Sequence, residues 1–231
     1  MKLFTDIFPP QQKEIYPQLA ECQKYDFILF GGTAIALQLG HRLSVDFDFF
    51  RLKPFDETVK TFLINFKNQL SAKIIQNELN TFTLQTPNGV KISFFGNIAF
   101  ADKNNIVQDD NHILQLADLT TLLATKLKTI NDRAEWKDYT DIAHILKSQK
   151  TSLYNGLKVF AQIWHNEIPP QQILKALLYF DDGDLMRLSS EDKQILYKIE
   201  TTDPDVTCKS LSELDSINKY IVQKTHYKDW L

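Results

Sequence analysis

Residues 27 to 50 read FILFGGTAIALQLGHRLSVDFDFF, and no other stretch constrains the fold as tightly. A short apolar run stops at Gly31 and Gly32, a segment of helical composition follows as far as Gly40, and a second apolar run carries Asp46 and Asp48. The periods predict strands over 26–30 and 45–50. Between them TAIALQLG forms a helix closed by Gly40 as its C-cap. On a strand, residues two apart share a face, so Asp46 and Asp48 point to one side while Val45, Phe47 and Phe49 are expected to face the core. Two carboxylates that close repel unless a cation lies between them.

The flanking sequence extends this unit. After Pro54, DETVKTFLINFKNQL offers Asp56 as an N-cap and a helical apolar face of Val59, Phe62, Leu63 and Phe66. SAKIIQN, NTFTLQT and VKISFF then read as three strands, the last two joined by the hairpin signal PNG. From residue 116 onward the segments ADLTTLLATKLKTI, WKDYTDIAHILKS, SLYNGLKVFAQIWHN, PPQQILKALLYF, SEDKQILYKI and LSELDSINKYIVQK all favour helix. The expected class is α+β: a mixed sheet with flanking helices over residues 1–112, then a helical half over 113–231, separated by a change of composition and not by a flexible linker.

With 231 residues and 43% apolar content the chain can bury a substantial core. No window approaches the roughly 18 apolar residues of a membrane span, and the first residues lack the apolar core of a secretion signal, so a cytoplasmic protein with no membrane partner is expected. Cys22 and Cys208 form no CxxC pair and read as two reduced structural thiols. A net charge of −3 argues against coating nucleic acid by bulk electrostatics. A local basic patch is best sought in KLKTINDRAEWK, which carries Lys126, Lys128, Arg133 and Lys137. The same spacing also suits an ordinary solvated helix face.

Gly31 and Gly32 end a strand and open a helix, where unpaired N–H groups and the positive end of the helix dipole attract anions, and where the absence of side chains lets a phosphate reach the backbone. A tight strand-to-helix turn needs the same residues. Asp46 and Asp48 suit Mg²⁺, a hard ion usually held by one or two carboxylates plus substrate phosphates. A bare Asp-x-Asp equally suits a sheet edge in water. Arg42 and Ser44, in the turn before the aspartates, and Thr33 behind the glycines are further candidates for phosphate contact, with His41 a weaker one. Asp138 and Asp141 share a helix face from which they can touch Arg133, Lys126 or an acceptor.

Taken together, GGTAIALQLGHRLSVDFDFF resembles the first motif of the AbiEii/AbiGii-type nucleotidyltransferase toxins, within the DNA polymerase β-like nucleotidyltransferase superfamily. LLATKLKTINDRAEWKDYTDIAHIL resembles the family's later pattern of lysine, arginine and Lys-Asp-x-x-Asp. The resemblance implies Mg²⁺-dependent transfer of a nucleotide from a nucleoside triphosphate (NTP) to an acceptor hydroxyl, with RNA such as tRNA as acceptor and a cognate antitoxin as partner. It assigns the metal to Asp46 and Asp48, and the triphosphate to Gly31 and Gly32 with Thr33, Arg42 and Ser44 nearby. Lys126 is assigned as a cation for the triphosphate and Asp141 as a further site residue.

The superfamily usually carries a third carboxylate on a later strand, which joins the metal site. The corresponding VKISFFGN has none, and Ser93 or Lys91 stands in its place according to register. Two alternatives follow: an NTP-binding module with impaired turnover, and a small-molecule nucleotidyltransferase of the antibiotic-resistance kind.

Overall fold

The computed structural model describes residues 1–164 and 168–202. The expected last helix, LSELDSINKYIVQK, and Cys208 lie outside the described residues. The chain divides into two compact units, Met1–Asp118 and Leu119–Leu231. The division falls six residues later than the change of composition at 112, because a last short strand still belongs to the sheet.

The first unit opens with a 3-10 turn over Thr5–Ile7, helix α1 over Pro10–Ile15 and a 3-10 segment over Tyr16–Tyr25. Strand β1 (Ile28–Phe30), helix α2 (Gly31–Leu39) and strand β2 (Phe47–Phe50) follow, then α3 (Glu57–Gln69), β3 (Lys73–Glu78), β4 (Thr81–Gln85), β5 (Lys91–Phe95), β6 (Ile106–Gln108) and β7 (Gln115–Ala117). The seven strands form one mixed sheet in the order β3-β4-β5-β2-β1-β7-β6. β2 runs parallel to β5 and β1 parallel to β7, while the remaining pairs are antiparallel.

The sequence signals account for the boundaries. Asp56 caps α3 by accepting from the Val59 N–H at 2.9 Å, and the face Val59, Phe62, Leu63 and Phe66 is buried as its spacing requires. Gly40 ends α2 at φ +67° and donates to the Ala36 carbonyl at 2.7 Å. Thr86 and Gly89 close the β4–β5 hairpin. Strand β1 starts later than expected because Asp26 sits in the left-handed region at φ 61°. The expectation for Val45 is corrected: it is 53% exposed, because β2 begins only at Phe47 and Val45 belongs to the preceding turn. β6 and β7, three residues each, are too short to show a period, and the sequence reading did not include them.

Both sheet faces carry aromatic rings, and Phe30, Phe50 and Phe95 lie on the face that also carries a carboxylate. On one, Phe27, Phe49 and Phe94 pack with Phe62 and Phe66 of α3, Phe94 lying 5.0 Å from Phe27 and 5.9 Å from Phe66 by ring centroids. The other carries Asp48 and Ser93, brought abreast by the β2–β5 register. Edge strand β3 is exposed along its length, and a bulge between Ile74 and Gln76 disrupts its outward ladder, a device that discourages edge-to-edge pairing.

The second unit is helical: α4 (Leu119–Asp132), α5 (Trp136–Lys147), α6 (Leu153–Trp164), α7 (Pro170–Leu178) and α8 (Ser190–Thr202), with a 3-10 turn at Leu185–Arg187. α4 is central, packing on α5, α6 and α7. Its approach to α6 is close, since a Cβ on Gly156 would lie 2.5 Å from the Leu123 side chain. Leu122, Leu127, Ile142, Leu157, Phe160 and Leu196 are fully buried.

Arg51 departs from this economy of burial. It is 3% exposed, its Nε and Nη1 have no hydrogen-bond partner among the described residues, and its guanidinium carbon lies 5.7 Å from the Phe27 ring centroid. Burying a charge without a paired anion is unfavourable. Arg51→Met is therefore expected to leave stability unchanged or raise it by about 1 to 4 kcal/mol, measured by urea unfolding. A loss above about 1 kcal/mol would show that the guanidinium has a stabilising partner.

Candidate active site

The site begins with a backbone that only glycine adopts freely. Gly31 follows the extended Phe30 at φ +70°, which turns the chain from β1 into α2. The turn leaves no room for a side chain: a Cβ on Gly31 would lie 2.9 Å from Oδ2 of Asp48. The Asp48 carboxylate is thus lodged against the glycine turn, beside the first N–H groups of α2, which have no partner within the helix. Asp46 precedes β2 with the same parity as Asp48, and both are half-buried, whereas Phe47 and Phe49 are buried on the opposite face.

Thr33 holds this geometry in place. It is 2% exposed, its hydroxyl donates to the Asp46 carbonyl, and it lies 2.8 Å from the Ser44 hydroxyl. The first turn of α2 is thereby tied to the segment that delivers the aspartates. The sequence reading placed Thr33 and Ser44 among phosphate contacts; in the structure the Thr33 hydroxyl meets the Ser44 hydroxyl and the Asp46 carbonyl. Arg42 donates to the Leu43 carbonyl at 2.9 Å.

In the helical unit, Lys126 on α4 is buried and meets two carboxylates of α5, with Nζ 2.5 Å from Asp138 and 2.8 Å from Asp141. Arg133 adds a second cation to Asp138 through Nε at 3.0 Å. The Lys-Asp-x-x-Asp spacing produces this arrangement, because residues three apart on α5 present both carboxylates to one point. Burial alone would lower the Lys126 pKa, but Asp141 and Asp138 outweigh it and hold the ammonium above the ordinary lysine value. The span proposed as a basic patch is largely neutralised: Lys126 and Arg133 are paired as described, and Lys128 bonds Asp132 at 2.5 Å.

A family model described as "Nucleotidyl transferase AbiEii toxin, Type IV TA system" matches residues 20–210. The chain belongs to this family. It is accordingly a nucleotidyltransferase of the toxin type found in type IV toxin–antitoxin systems. An uncharacterised protein of Aquifex aeolicus (strain VF5) is 29% identical over 160 residues, covering 68% of this chain and 75% of that protein. Among solved structures, MenT4, a nucleotidyltransferase toxin from Mycobacterium tuberculosis H37Rv, superposes with a TM-score of 0.50 at 12% identity, over 88% of this chain and 92% of that one. The likeness to MenT4 is one of fold.

Register decides which residue of this AbiEii-type chain stands beside the aspartates. Ser93 pairs with Asp48 across β2 and β5 and is 2% exposed; carried one step further, the register sets Lys91 abreast of Asp46. Among the described residues no group of three or more His, Cys, Asp or Glu side chains is placed to hold a metal ion. The role of Thr33 as a stitch went unread in the sequence, since its partner is a backbone carbonyl thirteen residues away.

The Lys126 cluster yields a stability prediction. In the wild type the raised Lys126 pKa gives stabilisation that is fully present below the unfolded lysine value of about 10.4 and is lost as pH rises through the folded value. Lys126→Met removes that cation from two buried carboxylates and is expected to cost about 3 to 5 kcal/mol at neutral pH. Because the wild type loses that stabilisation at high pH, the deficit of the variant should shrink as pH rises through the folded lysine value. Thermal unfolding at several pH values checks both points; a deficit independent of pH would contradict the account.

Proposed function

We propose that this nucleotidyltransferase moves a nucleotide from a nucleoside triphosphate onto the terminal hydroxyl of an RNA, tRNA among the acceptors, with Mg²⁺ as its metal. We place it in the cytoplasm, opposed there by a cognate antitoxin. Among the described residues no helix is long and apolar enough to cross a membrane. The single observation that supports the reading best is the Asp48 carboxylate lodged against Gly31 at the N-terminus of α2. That contact sets a metal-binding oxygen beside backbone donors suited to phosphate.

The residues fit the metal. Nucleotidyltransferases of this kind generally use a divalent ion, and Asp46 and Asp48 offer hard oxygen donors on one face, the one or two carboxylates that Mg²⁺ takes alongside substrate phosphates. When bound, Mg²⁺ would neutralise charge on the triphosphate and favour in-line displacement at its α-phosphorus. The remaining work belongs to the chain. The N–H groups of Gly32 and the first turn of α2 hold the β- and γ-phosphates, and the Thr33 stitch keeps Asp46 at its distance from that turn. Ser93, uncharged, offers the attacking hydroxyl a hydrogen bond but no base, so its proton leaves to water. Within the helical unit the same proposal gives Lys126 a fixed ammonium, held by Asp138 and Asp141.

The test is to incubate the protein with labelled triphosphates, Mg²⁺ and total RNA. Label is expected in RNA; label on a small molecule, or none despite bound triphosphate, would favour the other readings. Asp46→Asn and Asp48→Asn should each abolish incorporation while leaving thermal stability unchanged or higher, because they relieve carboxylate repulsion. A large loss of stability in either variant would make the pair structural.

A further inference from the structure

Burying a side-chain amide in an apolar helix is unfavourable unless it is hydrogen-bonded, and Gln38 is buried in one. It lies in the rear half of α2, where Ala34, Ile35, Ala36 and Leu37 are fully buried, and is itself 1% exposed. Its amide donates to the Ala34 carbonyl one turn back at 3.1 Å and to the Ala117 carbonyl at 2.9 Å. Ala117 is the last residue of β7, the strand that flanks β1 on the side away from β2. The second bond therefore ties α2 to a strand 79 residues further along the chain. Thr33 ties the front of the same helix to the Asp46 carbonyl, on the β2 side. α2 emerges from β1 and is thus anchored on both flanks of its parent strand.

Apolar packing holds α2 against the sheet but is non-directional, and the helix starts on Gly31, at φ +70°, whose backbone is permissive. Directional bonds at front and rear, on opposite flanks, are what fix the way the helix points. That direction matters because Phe30, at the N-cap, offers no side-chain cap to the first N–H groups. Hydrogen bonds from those groups to a ligand weaken steeply once distance or angle departs from the ideal. We infer that Gln38 is a positioning residue for the nucleotide. Through Ala117 it holds the axis of α2 so that the N–H groups after Gly31 meet the β- and γ-phosphates together. Gln38 stands about two turns behind Gly31 and acts through the helix, not on the ligand. An apolar side chain of the same length would fill the same space; the amide adds direction. The inference rests on the proposed placement of the triphosphate and adds the residue that keeps its phosphate cradle aimed.

The test uses Gln38→Met, which keeps the length and removes the donor, and Gln38→His, which restores a ring N–H. Gln38→Leu takes the place of Gln38→Met should that variant not fold. Each is titrated by calorimetry with inorganic tripolyphosphate in Mg²⁺, at a temperature where circular dichroism shows it folded. Gln38→Met should weaken tripolyphosphate and a nonhydrolysable nucleoside triphosphate alike, by about tenfold, the usual contribution of one hydrogen bond to a charged group. In incorporation of labelled triphosphate into total RNA it should raise KM by the same factor and leave kcat within about threefold, because a contact made equally to ground and transition states acts on KM. Gln38→His should recover most of the lost affinity. Wild-type affinity in the folded donor-less variant overturns the inference, as does a loss confined to kcat or a histidine variant no better than the methionine one. A wild type that binds neither tripolyphosphate nor triphosphate removes the underlying reading, and the role of Gln38 with it.

Discussion

The contact between Gly31 and the Asp48 carboxylate is the constraint on which the rest of the first unit depends. A left-handed residue is needed to turn β1 into α2 within one step, and a residue without Cβ is needed because Asp48 occupies the space a side chain would take. Both demands fall on one position, so the turn and the carboxylate define each other. The antiparallel pairing of Phe30 with Asp48 carries the contact, and the parallel pairing of β2 with β5 carries its consequences across the sheet. The buried aromatic face against α3 supplies the stiffness that holds a carboxylate in so narrow a place.

Much of this was legible from periodicity. The double glycine between an apolar run and a helical segment, followed by Asp-x-Asp at period two, led to the strand, helix and strand that form the site. Asp56 and the apolar spacing behind it were enough for α3. What could not be read was register. Whether Ser93 or Lys91 stands by the aspartates depends on how β2 meets β5, more than forty residues away in sequence, and no local pattern encodes that. The same holds for Thr33, whose bond to the Asp46 carbonyl joins residues thirteen apart in sequence. β6 and β7 escaped notice because three residues cannot display an alternation, and Val45 was misplaced because a strand's first paired residue is not visible in its composition.

The Lys126 cluster shows the opposite balance. Its residues were singled out by family resemblance, and the helical period explains why Asp138 and Asp141 converge. What the sequence concealed was how completely they would surround the ammonium: a lysine read as a free point charge is buried between two carboxylates. A buried ion group of this kind contributes little net stability and loses much when one member is removed, which suits a device for holding a charge in a fixed position.

The account stands or falls on the junction of glycine turn and carboxylates, and the most direct measurement is a crystal structure with Mn²⁺ and a nonhydrolysable triphosphate, located by anomalous scattering. The expected result is a metal peak about 2.1 Å from oxygens of Asp46 and Asp48, with the β- and γ-phosphates on the N–H groups that follow Gly31. A triphosphate bound elsewhere, or a metal held by neither aspartate, would contradict it.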